Sequence, residues 1–162
     1  MCPGDSTADM FKIDNYTAYR KDRTINEGGG VILFVCDNFN SELIANDLWL
    51  NLELVACKIS FGQKSLIVVC VYRPPSSSRE YNQGICSALC HLCELHSDQI
   101  IVCGDFNFPK IDWYNHIIYT SELSDEKQFY DAIQSSFLHQ HVEKFTRQRG
   151  SDFSLFARSC VY

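Results

Sequence analysis

The sequence predicts a mixed α/β domain, a sandwich of sheets with helices outside, and three observations carry that reading. Two β-type segments, Leu52–Phe61 and Ser65–Tyr72, are separated only by the turn Gly62-Gln63-Lys64, the pattern of a hairpin. Two stretches show helical spacing of apolar residues: one from Arg79 to about Ser97, the other carrying Phe129, Ile133 and Phe137. Finally, strands and helices do not alternate strictly along the chain, which argues against a doubly wound parallel sheet.

The elements follow in order. "GGG" at Gly28–Gly30 precedes the apolar "VILFVC", so it reads as a turn feeding a strand. It lacks the Lys-Ser/Thr of a phosphate-binding P-loop. In Leu52–Phe61, Val55, Cys57, Ile59 and Phe61 fall on one face by the two-residue period of a strand. The next strand, "SLIVVCVY", is apolar enough to be buried on both faces, and Pro74 and Pro75 stop it because they cannot continue a ladder. The first helix places Ile85, Leu89 and Leu92 on one stripe with Cys86, Cys90 and Cys93 beside it. "QIIVC" (Gln99–Cys103) is a short buried strand, and Ser121 or Ser124 caps the second helix. The tail "HVEKFTRQRGSDFSLF" reads as extended segments joined by a glycine turn.

At 162 residues, 46% hydrophobic and 21% charged, the chain suits one domain with a sizeable core. The longest apolar run, Leu66–Tyr72, is too short to span a bilayer. The first ten residues lack the basic flank and apolar stretch of a signal peptide, so an intracellular protein is expected. Nine cysteines, several inside apolar runs, then read as buried thiols and not as a disulfide framework. Cys86, Cys90 and Cys93 with His91 and His96 do not make a zinc site, because all lie on one predicted helix with His91 off the cysteine stripe. A net charge of −6 argues against a general nucleic-acid-coating protein. It leaves room for local basic patches at Arg20, Lys21 and Arg23 and at Lys144, Arg147 and Arg149.

The densest chemistry is "CGDFNFP", Cys103–Pro109. A strand ending near Gly104 delivers the next residues to the sheet edge, where Asp105 and Asn107 project together and Phe106 turns back to the core. A carboxylate there can take a proton from attacking water, and an amide can hold it and donate to an anionic oxygen. An Asx-type turn is the plainer alternative. "VYRPPS" sets Tyr72 and Arg73 at the end of another buried strand. A phenol and a guanidinium fork are suitable donors to phosphate oxygens.

Taken together, "NYTAYRKDR", "GGGV", "VYRPPSSS", "IVCGDFNFPKIDW" and "FTRQRGSDFSLF" resemble, in the same order, the endonuclease domain of LINE-type (non-LTR) retrotransposons, in the endonuclease/exonuclease/phosphatase superfamily. The resemblance implies a four-layered α/β sandwich of two mostly antiparallel sheets flanked by helices. It implies phosphodiester hydrolysis with Mg²⁺ or Mn²⁺, DNA as substrate, a reverse transcriptase region as partner in the parent polyprotein, and an intracellular or nuclear location. By position, Asp105 matches the carboxylate that activates water. Asn107 matches the amide that orients it and contacts phosphate, Tyr72 the strand-end hydroxyl, and Asp152 the aspartate that orients the family's catalytic histidine. Ser151 and Ser154 replace residues of the family's usual Leu-Asp-Leu context.

The resemblance also implies motifs outside these residues: an Asn and a metal-binding Glu before Asn15–Arg23, and a Ser-Asp-His after the Asp152 segment. The expectation is therefore a partial, incomplete domain over residues 1–162, with no metal ligand set of its own and without activity as this chain. The alternative is a non-catalytic remnant that binds nucleic acid or protein. A lipid or nucleotide phosphatase from another branch is disfavoured by "YRPP" and "IDW".

Overall fold

Apolar alternation in the two strands predicted as a hairpin sets the centre of the molecule. The computed structural model describes residues 11–23, 29–95, 99–142 and 153–158. The hairpin is β4 (Glu53–Phe61) and β5 (Lys64–Tyr72), antiparallel, with Glu53 opposite Tyr72 and Phe61 opposite Lys64. Four more strands complete a six-stranded sheet: β3 (Asn40–Ile44) beside β4, then β6 (Gln99–Asp105), β10 (Phe153–Arg158) and β9 (His139–Gln140) outward from β5. Every pairing is antiparallel except β5 with β6. Parallel neighbours need a crossover, and helix α1 (Arg79–Leu95) supplies it.

One sheet face carries Ala56, Ile67, Val69, Val71, Ile100 and Val102, all buried. They pack with Ile85, Leu89 and Leu92 of α1 and with Phe129 and Ile133 of α2 (Asp125–Ser135) in a single core. The stripe predicted for α1 is therefore the one that it buries. Across the opposite face lies a second, two-stranded antiparallel sheet, β1 (Tyr16–Asp22) with β2 (Gly30–Cys36). Tyr19 reaches Ser41 of β3 at 2.9 Å, and Arg23 reaches Glu53 of β4 at 2.8 Å. The result is the expected α/β sandwich, with helices on one outer face among the described residues. Strand β5 is deeply buried on the helix side, whereas Val68 and Cys70 on its other side are half-buried.

One detail differs from the sequence reading: Phe137 does not belong to the stripe of α2. It is 71% exposed, beyond the helix end. There the backbone turns left-handed at Phe137 (φ 54°), and the Leu138 N–H bonds back to the Ile133 carbonyl at 3.1 Å. This is a Schellman-type stop, and it sends Leu138 into the core in place of Phe137. At the other end Ser124, not Ser121, is the cap, accepting from the Lys127 N–H at 3.1 Å. Ser124→Ala should cost about 1 kcal/mol, read as a lower midpoint in urea with an unchanged slope.

Beyond β6, Ile111 is buried and Trp113 packs edge-on to Phe156 at 5.0 Å and stacks on Tyr130 at 5.6 Å. The "IDW" motif thus anchors a small hairpin, β7 (Ile111–Asp112) with β8 (Ile117–Ile118), to the core. Among the described residues no helix is long and apolar enough to cross a membrane. Burial pushes the Cys86 thiol up to about 12 and Cys57 to about 11, the behaviour of packing groups.

Candidate active site

The end of the central sheet aligns functional groups in one row. Glu53 of β4 stands opposite Tyr72 of β5, and Tyr72 opposite Asp105 of β6. Residues in register across neighbouring strands point to the same face, so carboxylate, phenol and carboxylate share the face on which β1 and β2 lie. Phe106, next in sequence, enters the core against Phe129 at 5.0 Å, as the strand period predicts.

Asn107 leaves the strand in a left-handed conformation, φ 51°, which asparagine tolerates better than most residues. Its side-chain amide donates to the Arg73 carbonyl at 2.7 Å, and the Arg73 guanidinium donates to the Asn107 carbonyl at 2.8 Å and to the Phe106 carbonyl at 3.2 Å. The Arg73 N–H donates to the Asp105 carbonyl at 2.8 Å. The loops after β5 and β6 are therefore tied together, next to Tyr72 and Asp105.

Arg73 faces the other way from the phosphate contact expected of it. Consecutive strand residues point to opposite faces, so when Tyr72 looks toward β1 and β2, Arg73 looks toward the helices. It is 7% exposed, donates to Asn82 of α1 at 2.7 Å, and lies over the Phe108 ring at 3.9 Å. Asp152 and the cluster Lys144, Arg147 and Arg149 lie outside the described residues. The described histidines sit apart: His91 beside Trp49, His116 bonded to Tyr130, and His139 and His141 exposed.

Glu53 was not singled out in the sequence, although an acid inside an otherwise apolar buried strand is a signal. It is buried and accepts from Arg23 Nε at 2.8 Å, Arg23 Nη2 at 3.3 Å and the Gly30 N–H at 2.7 Å. Arg23 in turn lies over the Tyr72 ring, 5.6 Å from its centroid. Hydrogen bonding to Glu53 raises the Arg23 pKa above its ordinary value. The glycines explain themselves here. A Cβ on Gly29 would meet the Arg23 guanidinium at 2.4 Å, and one on Gly30 the Lys21 carbonyl at 2.6 Å.

A sandwich of this topology has known counterparts. The chain belongs to the endonuclease-reverse transcriptase family, whose model matches residues 66–155, a span holding Tyr72, Asp105 and Asn107. Its fold is that of the LINE-type (non-LTR) retrotransposon endonucleases within the endonuclease/exonuclease/phosphatase superfamily. The endonuclease domain of TRAS1, a telomere-specific non-LTR retrotransposon, superposes with a TM-score of 0.66 at 15% identity over 89% of this chain and 65% of that one. The catalytic domain of human Nocturnin, solved with a bound sulfate anion, superposes with a TM-score of 0.60 at 14% identity over 94% of this chain and 64% of that one. The chain thus spans just under two thirds of the length of either structure. No curated protein matches it significantly in sequence.

A divalent ion, as the family implies, calls for one or two carboxylates with open oxygens. At this edge the candidates are Asp105 and Glu53, and both oxygens of Glu53 accept from Arg23. No group of three or more His, Cys, Asp or Glu residues capable of holding a metal occurs among the described residues. These residues by themselves do not fit the ion.

Proposed function

We propose that the chain is part of a DNA-nicking endonuclease that hydrolyses a phosphodiester with activated water. The observation that carries this reading is the in-register meeting of Tyr72 and Asp105 beside the Asn107 loop. Asp105 takes a proton from water as its oxygen bonds to phosphorus. Asn107 and the Tyr72 hydroxyl contact the phosphate, and Asp152 orients a proton-transfer partner. The P–O3′ bond breaks, and the departing oxygen takes a proton from solvent to become a 3′-hydroxyl, the end a reverse transcriptase extends.

A second reading, binding to DNA without cleavage, draws support from Arg23, which occupies both oxygens of Glu53 at this edge. Relaxation of supercoiled plasmid with added Mg²⁺ separates the two readings. It is applied to the 162-residue chain and to the chain extended into its flanking reading frame. The extended chain is expected to nick, and Asp105→Asn is expected to slow nicking by about 10²–10⁴-fold. A folded extended chain that binds DNA and never nicks leaves the binding role. Turnover of a phosphomonoester but not of DNA would point to a phosphatase instead.

A further inference from the structure

We infer that Arg23, held by buried Glu53, is the side chain that contacts a DNA phosphate at this edge, the part that sequence alone assigned to Arg73. For the identity of its ligand this rests on the nuclease reading.

The argument begins with position. Arg23 follows β1, and its guanidinium reaches across the sandwich to the row of Glu53, Tyr72 and Asp105. It therefore shares the face and the edge of the candidate catalytic groups. Next comes orientation. Glu53 accepts from Nε and Nη2 and the Tyr72 hydroxyl is a further hydrogen-bond partner of the guanidinium, which leaves part of the five-donor fork for a ligand. The Glu53 side chain is 8% exposed and that of Arg23 27%, so the carboxylate is the inner partner and the cation the outer one. Finally, the guanidinium is held by the carboxylate and lies over the Tyr72 ring, and Gly29 leaves room for it where a Cβ would come within 2.4 Å of Cζ. A cation fixed before the ligand arrives loses little side-chain freedom on binding. Glycine at 29 and 30, arginine at 23 and glutamate at 53 then form one device, which accounts for a buried acid in an apolar strand.

Affinity for a short DNA duplex, measured across a range of salt concentrations, tests the assignment. Each phosphate contact adds close to one to the slope of log affinity against log salt. Arg23→Gln should weaken binding several-fold at low salt and reduce the slope by about one. Arg23→Lys should keep the slope while losing affinity, and Lys58→Gln, which removes a cation paired with exposed Glu42, should change neither. A folded Arg23→Gln variant with the parent slope overturns the inference. Should that variant not fold, the Arg23 Nε–H resonance of the unaltered chain decides. A shift on adding a dinucleotide phosphodiester supports the contact, and a resonance that stays put while the ligand binds overturns it. If the duplex does not bind at all but the dinucleotide moves Arg23, the phosphate site stands and the DNA-nicking reading falls.

Discussion

Gly104→Ala is expected to deprive the domain of its native fold. Gly104 adopts φ +151° and sits opposite Val71 in the one parallel ladder of the sheet. A Cβ there would lie 1.8 Å from the Val71 carbonyl oxygen and 2.8 Å from the carbonyl carbon. These are backbone atoms, so no rotamer change relieves the clash, and β6 would have to leave β5. That separation pulls Asp105 from Tyr72 one residue further on and opens the core between Val71 and Val102. The loss should exceed about 4 kcal/mol, the range reserved for major defects, against a total domain stability of about 5–15 kcal/mol. Soluble yield and urea unfolding check it. Gly62→Ala is the comparison: that glycine turns with φ +61° in open space, so its cost should stay near 1 kcal/mol. A Gly104 variant as mild as the Gly62 variant would show that the two strand ends are not locked together. The glycine before the acid in "GDFN" is thus explained by the neighbouring strand, whatever the acid does.

Much of this was legible because it depended on short-range period. The β4–β5 hairpin, the buried stripe of α1 and the inward turn of Phe106 all follow from spacings of two or about 3.6 residues. Strand β1 was not read as a strand, since "YTAYRKD" is polar and mostly exposed and gains its place only by pairing with β2. Phe137 was assigned to a stripe because its spacing continues the helix, but a left-handed stop at that residue is set by chain geometry, which the residue type does not announce. At the site, Asp105 and Tyr72 came forward through motif and strand position. Their juxtaposition came from the register of a parallel pair separated by a whole helix, a non-local fact. Glu53 was overlooked for the same reason: its partner Arg23 is thirty residues away in sequence, and only tertiary packing shows why a carboxylate is tolerated there.

Arg73→Leu should be nearly as damaging, and through a different cause. The guanidinium is the donor for the Phe106 and Asn107 carbonyls and for the Asn82 side chain, and Asn82 in turn donates to Asp125 at the start of α2 at 2.8 Å. Burial draws the Arg73 pKa down, while Glu126 and Asp125 push it back up, so the charge sits in a prepared environment. Leucine would fill part of the space over Phe108 but leave several buried acceptors without their donor, each worth about 1–3 kcal/mol and not additive. A net loss of about 3–5 kcal/mol is expected, seen as a lower urea midpoint. Arg73→Lys should recover less than half, because one ammonium cannot serve Asn82 and two loop carbonyls in the planar fork geometry of arginine. The result that would reverse this assignment is also clear. If Arg73→Leu is as stable as the parent while DNA binding loses about one unit of salt slope, Arg73 is the phosphate contact and its inward bonds are incidental. If stability falls and the slope holds, the residue after Tyr72 is the bolt between two loops, and the anion is met on the other face of the sheet.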